Sequence, residues 1–349
     1  MSLGKRVTLK DIAERAEVSI STVSLALRNH GRIPKETISR VQQIANDLGY
    51  APDPWLSSLS SYRNSEAVGT RNTTIAVLSS WPTKYAWRES PTIKAYYAGA
   101  QKMAAALGYK LEDFWIEENG GPKRTASILF NRGIKGILLL PLPPEETRIH
   151  FDFSNFSVAQ VGRTLHWPII NTVTHNHYGS MQISVYFLRR LGYKRIGLAI
   201  PSKENKLHRL CWLASFLAKQ YDFPESMAKL PVYKWDQLDK STFLQWLDDN
   251  QCDVVVSSEP QIRDFMLEAG KRVPEDVGFC CLCIEDDTEI SGIHLKSEII
   301  GSHAISLLHM LMMSGHRGCP QDPMTQVIDG AWQQGKTLLG KKADIEASA

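Results

Sequence analysis

Two groups of side chains in this sequence have types and spacings that suit metal or redox chemistry. His175 and His177 are two positions apart, and on a β-strand that spacing would place both imidazoles on one face, where a metal could bind. Histidines of a polar surface or pocket are the alternative, because the sequence offers no third ligand nearby. Cys280, Cys281 and Cys283 could be redox-active, although a buried strand favours inert thiols.

The sequence lacks the local signatures of common enzymes and cofactor sites. It contains no GxSxG or HExxH motif and no glycine-rich phosphate-binding loop. We therefore predict a protein that is not an enzyme and that uses neither a metal nor a cofactor.

The first fifty residues favour a different chemistry, the binding of nucleic acid. A first helix would have one apolar face, at i, i+3, i+4 and i+7, formed by Leu9, Ile12, Ala13 and Ala16. Ser19 is a good N-cap for a second helix from Ile20 to about Leu27. A third helix would follow Pro34 and stop at Gly49. Three such helices form either a helix-turn-helix unit or a generic three-helix bundle.

Charge and composition are compatible with a DNA-binding protein of the cytoplasm. Residues 1–72 hold ten basic and seven acidic side chains, and this excess of three equals the net charge of +3 of the whole chain. A mild local excess permits a nucleic-acid face without proving one. No apolar run approaches the roughly 20 residues that span a bilayer, and residues 1–9 lack the apolar segment of a secretory signal.

The residue types at these positions identify a family. The segments VTLKDIA at 7–13, VSISTVSLAL at 18–27 and LGYAP at 48–52 resemble the headpiece of the lactose-repressor (LacI/GalR) family. The resemblance implies that the second helix enters the major groove of DNA and reads base edges with Ile20, Ser21 and Leu25. It implies further DNA contacts, mostly to the backbone, for Thr8, Ser19, Thr22, Ser24, Arg28, Thr37 and Tyr50.

Ile20 and Leu25 set this headpiece apart from many relatives, which carry Arg or another polar reader at position 25. Apolar side chains cannot donate to guanine and contact mainly thymine methyl groups in the major groove. We therefore predict thymine-rich contact positions in each half of the operator. The alternative is that Leu25 packs into the headpiece core.

The segment APDPWLSSLSSY, residues 51–62, follows the headpiece. Asp53 could cap a short helix that begins at Pro54. The resemblance implies that this helix forms only on DNA, where two copies from a dimer occupy the minor groove and Leu59 wedges a central base step. Leu56 could add to this wedge. An inert linker is the alternative.

From Thr73 onward, apolar strands alternate with helices, one of them over 207–220. Continuous apolar strands between helices indicate parallel sheets covered on both faces. Together with the resemblance, they predict an all-α helix-turn-helix headpiece plus an α/β two-lobed domain like the periplasmic binding proteins. We assign the headpiece to 1–50, a hinge helix and linker to 51–72, the effector-binding and dimerisation domain to 73–340, and a tail to 341–349.

Candidate effector ligands lie beyond the carboxyl ends of the predicted strands. Arg209 matches the arginine that grips the ligand in the family, and its guanidinium could hold vicinal hydroxyls or a carboxylate. Aromatic faces for stacking on a sugar could come from Trp81, Tyr85 and Trp87, with aromatic packing as the alternative. Other polar positions depart from the family's usual residues and hold Arg163, His175, Glu259 and Cys283. The usual sugar specificity therefore cannot be carried over, and a saccharide is one candidate effector among related metabolites.

The resemblance as a whole implies a homodimeric transcriptional regulator, with repression as the family default. A two-fold dimer would read a near-palindromic DNA operator under the control of a small-molecule effector. One alternative is a DNA-binding regulator without small-molecule control. Another is a solute-binding protein of the same fold, which would need a signal peptide and no headpiece.

Overall fold

The computed structural model describes residues 7–27, 33–48, 50, 73–118, 120–144 and 146–340 of the chain. The chain separates into two compact units, Met1–Arg71 and Asn72–Ala349, which we call the headpiece and the large domain. Among the described helices, none is both long and apolar enough to cross a membrane.

The described part of the headpiece is helical. Its helices are α1 (Leu9–Ala16), α2 (Ile20–Leu27) and α3 (Lys35–Asp47). Ile12, Val23 and Val41, one from each helix, are fully buried in a common core. Helices of this length are marginal alone in water, so the shared core is what stabilises them. Their bounds lie within a residue or two of those predicted from apolar periodicity and capping.

The large domain alternates strands and helices. The strands are β1 (Thr73–Ser79), β2 (Tyr109–Trp115), β3 (Gly136–Leu139), β4 (Ser157–Val161), β5 (Asn171–His175), β6 (Ile196–Pro201), β7 (Tyr233–Trp235), β8 (Val254–Ser257), β9 (Gly278–Ile284), β10 (Gly292–His294), β11 (Thr325–Ile328) and β12 (Ala331–Gln333). The helices are α4 (Pro91–Ala106), α5 (Pro122–Asn131), α6 (His177–Arg190), α7 (Ser202–Leu207), α8 (Cys211–Tyr221), α9 (Lys240–Asp249), α10 (Gln261–Glu268) and α11 (Ser297–Met313).

Two six-stranded sheets form the centres of two lobes. The first has the order β11-β5-β4-β3-β1-β2 and is parallel throughout. The second has the order β12-β10-β9-β8-β6-β7 and is parallel except at its edge, where β12 runs antiparallel to β10. Parallel strands need crossover connections. Helices supply most of them, whereas no helix is described between β3 and β4, between β4 and β5 or between β9 and β10.

Both faces of the sheets are buried. Along β1, Ile75 and Val77 belong to a core cluster on one face, whereas Ala76 and Leu78 belong to a cluster on the other. Successive side chains of a strand point to opposite faces, so this alternation requires a covering layer on each side. The predicted two-lobed α/β domain with parallel sheets is confirmed.

The chain passes between the lobes three times, after His175, after His294 and after Ile328. Asn176 occupies the first crossing, and its Nδ2 donates to Oδ1 of Asp329 in the third crossing at 2.7 Å. This hydrogen bond ties two of the three connections to each other at the junction of the lobes.

One predicted element is wrong. The helix expected over 207–220 is divided into α7 and α8, because Arg209 and Leu210 adopt left-handed backbone angles with φ of 53° and 58°. A left-handed residue cannot continue a right-handed helix. Neither residue is a glycine, so the local sequence carries no signal for this break.

Candidate functional site

The turn between α1 and α2 is short and is fixed by hydrogen bonds of side chains. Glu17 ends α1 in the left-handed region, with φ of 53°. Ser19 then caps α2, because its Oγ accepts a hydrogen bond from the N–H of Thr22 at 3.1 Å. The Oγ atoms of Ser19 and Ser21 are 2.7 Å apart. The turn and the core shared with α3 make a helix-turn-helix unit rather than a generic bundle.

Five predicted contact residues lie on α2, of which Thr22 is half-buried with its Oγ1 2.8 Å from Oγ of Ser19, and the outward side of the helix carries the other four. Ile20 is 49% exposed and Ser21 is exposed, whereas Ser24 and Leu25 are half-buried. Leu25 is not among the residues that pack against the headpiece core, so the alternative that it packs inward is not supported. The outward side thus offers two apolar side chains and two hydroxyls, and no charged residue lies on α2.

The other predicted DNA contacts have different settings. Thr8 is the exposed N-cap of α1 and forms a reciprocal capping box with Asp11, whose Oδ2 accepts from the Thr8 hydroxyl at 2.6 Å. Thr37 is half-buried in the first turn of α3. Tyr50 packs against the headpiece core, which makes it a supporting residue. Arg28, Leu56 and Leu59 lie outside the described residues.

The large domain brings three histidines together at the junction of its lobes. His175 ends β5, His177 begins α6 and His208 lies in the turn before α8. The ring centroids of His175 and His177 are 5.0 Å apart, and those of His177 and His208 are 4.0 Å apart. The expectation that His175 and His177 share one strand face is wrong, because a helix begins between them. Among the described residues, no group of three or more His, Cys, Asp or Glu is arranged to hold a metal.

Burial keeps the imidazoles of His175 and His177 neutral. His175 is 1% exposed, and loss of solvation together with the nearby His208 lowers its pKa from 6.5 to about 4. The pKa of His177 also lies well below its usual value, mainly because burial removes its solvation. The charges of His208, His175 and Arg163 lower it further. Nε2 of His175 is 2.6 Å from Oγ of Ser180. Neutral rings can both donate and accept hydrogen bonds.

Trp212 completes the wall behind the histidines. Its ring is fully buried, with its centroid 4.8 Å from that of His177 and 5.1 Å from that of His208. Its Nε1 and the Nδ1 atoms of His175 and His177 are buried and have no hydrogen-bond partner in the described part of the chain. A buried donor or acceptor left without a partner costs about 1–3 kcal/mol.

Two arginines adjoin this cluster, and both were predicted site residues. Arg163 follows β4 and is half-buried, whereas Arg209 is exposed. Partial burial and the neighbouring Arg163 both lower the pKa of Arg209. We call Arg163, His175, His177, His208, Arg209 and Trp212 the interlobe site. Its first two members come from the first lobe, and the other four come from the second.

The predicted aromatic residues lie in a different environment. Trp87 is 2% exposed and belongs to the core of the first lobe, where its ring is 5.0 Å from that of Tyr97, so its assignment as a stacking face is wrong. Tyr85 is 49% exposed, and Cζ of Arg88 lies 4.4 Å from the centroid of its ring. Trp81 lines a separate cavity of about 310 Å³ at the ends of β1 and β2.

The remaining predicted residues, Glu259 and Cys283, are both half-buried at strand ends of the second lobe. Sequence reasoning missed Tyr96, which is 6% exposed on α4. Tyr96 hydrogen-bonds Ser297, and the Ser297 hydroxyl donates to Glu285 at 2.6 Å. Tyr96 is 189 positions from Glu285 and 201 positions from Ser297, so no local pattern links it to them.

Known proteins resemble this chain in the sequence of its headpiece and in its fold. Residues 8–53 match the family described as "Bacterial regulatory proteins, lacI family". The HTH-type transcriptional repressor CytR of Escherichia coli (strain K12) is 29% identical over 210 residues, which are 57% of this chain and 55% of that protein. The maltose regulon regulatory protein MalI of the same strain is 25% identical over 201 residues, 56% of this chain and 54% of its own length. The chain thus spans about half the length of these relatives.

Solved structures extend the likeness to nearly the whole chain. The lac repressor dimer bound to operator and the anti-inducer ONPF has a TM-score of 0.55 and 18% identity, with 96% of this chain and all of that chain covered. The transcriptional regulator CelR in complex with cellobiose has a TM-score of 0.54 and 18% identity, with coverage of 95% and 100%. At this level of identity the likeness establishes the fold.

Proposed function

Since this chain belongs, by its headpiece, to the lacI family of bacterial regulatory proteins, we propose that it is a sequence-specific DNA-binding transcriptional regulator and a repressor. The observation that carries the proposal is the outward side of α2, held by a capped turn on a helix-turn-helix core. The relatives that it matches are named as transcriptional repressors and regulators, and we infer that it acts by binding rather than by catalysis.

Base reading by α2 would be mainly apolar. Ile20 and Leu25 can contact thymine methyl groups, while the hydroxyls of Ser21 and Ser24 can reach either a base edge or a phosphate. Arginine or lysine at these two positions would instead select guanine. The operator half-site is therefore expected to be rich in thymine at the two positions that face Ile20 and Leu25.

The active form would be a dimer on a near-palindromic operator, since two equal headpieces read two equal half-sites. One neighbour in structure, the lac repressor, was solved as a dimer bound to operator. The sequence at 51–62 adds a minor-groove wedge at Leu59, outside the described residues. Replacing Leu59 with Ala should weaken operator binding strongly and non-specific binding little, because only the kinked operator accommodates the wedge.

A small molecule at the interlobe site would control DNA affinity. A ligand that binds one arrangement of the lobes more tightly than another shifts the population toward it. One structural neighbour holds cellobiose, which makes a saccharide a reasonable class to test. A cytoplasmic location follows from the same proposal, because the DNA lies there and the six cysteines are free thiols.

Selection of binding sites from random double-stranded DNA tests the proposed function. The purified full chain should enrich a near-palindromic sequence, and the enriched site should be bound more tightly than a scrambled site in fluorescence anisotropy. A selection that enriches no sequence, or a chain that stays monomeric at micromolar concentration, would contradict the proposal.

A further inference from the structure

We propose that the effector of the interlobe site is a small anion, whose carboxylate or phosphate group is held by Arg163 and Arg209. The body of this molecule would lie beside His177 and His208, with Trp212 behind them. The inference rests on the proposed function only where it calls the ligand an effector, since the binding of an anion is a property of the site alone.

The first argument is charge without compensation. Partial burial lowers the pKa of Arg209, and Arg163 lies close enough for its positive charge to lower that pKa further. Neither guanidinium forms an ion pair or hydrogen bond with any residue in the described ranges. Two like charges held together in a partly buried place are unfavourable unless an opposite charge joins them.

Asp329 does not pair with either arginine. It is the acidic group that acts on His175, and its Oδ1 accepts a hydrogen bond from Asn176 at 2.7 Å in the lobe crossing. No ion pair joins it to Arg163 or Arg209 within the described residues. Among the charged side chains that act on His175 and His177, Arg163 and Lys296 add positive charge and Asp329 adds negative charge.

The second argument is the set of buried nitrogens without partners. Nδ1 of His175, Nδ1 of His177 and Nε1 of Trp212 are buried in the described part of the chain and bond to none of it. Polar atoms of this kind are rare in folded proteins and need an explanation, of which a ligand is one. Beside these buried atoms, Arg163 is half-buried and Arg209 is exposed.

The two arguments together separate an anion from a neutral sugar. Hydroxyl groups could satisfy the ring nitrogens, but they would leave both guanidiniums without an opposite charge. A carboxylate or phosphate meets the planar fork of an arginine with two parallel hydrogen bonds and also cancels the repulsion between the two cations. A sugar acid or a sugar phosphate could both bond the ring nitrogens and bring a negative charge to the guanidiniums. Another small metabolite with one acidic group could do the same.

The backbone around Arg209 supports a built site. Arg209 and Leu210 are both left-handed, a conformation that costs roughly 1–2 kcal/mol for a residue other than glycine. Strain of this kind persists where the surrounding structure holds it, and it clusters at ligand sites. Here the strained turn carries Arg209 directly after His208, whose ring centroid is 4.0 Å from that of His177.

Matched pairs of probes test the proposal on the full chain. Thermal shift and titration calorimetry would compare glucose with glucose 6-phosphate and gluconate, and adenosine with adenosine monophosphate. Inorganic phosphate would be compared with a blank without added ligand. We expect at least one anionic member to bind, its neutral partner to bind at least tenfold more weakly, and the affinity for the anion to fall as KCl is raised. Equal binding of both members of every pair, or no binding by any anion, would overturn the proposal.

Variants connect the binding to the two guanidiniums. Arg163→Gln and Arg209→Gln should each weaken the anion about tenfold to a hundredfold, as expected for loss of a charge-assisted hydrogen bond. Arg209→Lys should retain part of the affinity, because the charge remains without the fork. Arg189→Gln removes an exposed arginine of α6 and should leave binding unchanged. Unchanged anion affinity in both glutamine variants would contradict the assignment.

The outcome can be read separately from the DNA-binding function. Melting temperatures of the ligand-free variants check folding, and removal of one of two repelling cations should not lower them. If the chain selects an operator but binds no anion, only this inference fails. If it binds an anion but selects no DNA site, the proposed function fails while the anion site stands.

Discussion

The buried neutral histidines predict a loss of stability in mild acid. The pKa of His175 is about 4 in the folded chain and 6.5 when the residue is free, so the unfolded chain binds more protons between these values. The stability associated with the neutral ring is present in full above pH 6.5 and is lost as the pH falls towards 4. Between pH 7 and pH 5 the loss amounts to about 2 kcal/mol for His175 alone, from 1.36 kcal/mol for each pH unit between the two pKa values.

Chemical denaturation followed by tryptophan fluorescence measures this loss in the large domain. Eight of the nine tryptophans lie between residues 73 and 340, so the signal reports on that domain. His175→Gln keeps a group that can bond Ser180 but does not titrate, and it should reduce the difference in unfolding free energy between pH 7 and pH 5 by about 2 kcal/mol. A residual pH dependence should remain from His177, whose pKa is lowered in the same direction.

A matched variant separates this effect from a general response to acid. His316→Gln removes an exposed imidazole and should leave the pH dependence of the wild-type chain intact. The reasoning is refuted if His175→Gln loses as much stability between pH 7 and pH 5 as the unaltered protein does.

Three further substitutions probe the headpiece and the first lobe. Leu25→Arg should shift the selected operator from thymine to guanine at the facing position, because arginine donates to O6 and N7 of guanine; an unchanged site would show that residue 25 does not read that base. Thr8→Ala breaks the capping box with Asp11 and should lower the stability of the headpiece by about 1 kcal/mol, measured in a thermal melt followed by circular dichroism. Ser39→Ala, on the exposed side of α3, is the control and should leave that stability unchanged. Gly301→Ala puts a Cβ into the carbonyl oxygen of Tyr96 and should cost about 1–3 kcal/mol by overpacking in denaturant unfolding; an unchanged midpoint would mean that α4 and α11 can separate freely.

Periodicity and capping were sufficient to predict most of the elements. The bounds of α1 and α2 follow from apolar spacing and from Ser19, and β4 was placed at Ser157–Val161 as observed. The strand β5, NTVTH, was not predicted, because four of its five side chains are polar and yet it is buried. Some of its polar atoms find partners within the sheet, as where Oγ1 of Thr172 accepts from Gln160 at 2.8 Å. The hydrophobic pattern of a sequence does not predict that buried polar side chains will find such hydrogen bonds.

The interlobe site shows why the site was harder to predict than the fold. Arg209 and Arg163 were selected from the sequence, but their proximity depends on a left-handed turn that no glycine announces. His208 joins His177 from 31 positions away, so the pair of histidines that suggested a metal is part of a larger cluster of aromatic rings. Trp87 was expected to face a ligand, yet a loop that follows a central strand can equally turn its aromatic side chain into the core.

The interlobe site lies at a connection between the lobes, so a ligand bound there could affect how the lobes are arranged. His175 is the last residue of β5 and His177 the first of α6, so the first crossing of the chain consists of Asn176 alone. Asn176 is bonded at its backbone to Ile328 and at its side chain to Asp329, both at the third crossing. An anion that engages His177 from the second lobe and Arg163 from the first would therefore act across the connection about which the lobes must turn. Its binding energy would differ between open and closed arrangements, and that difference is the physical requirement for an effector.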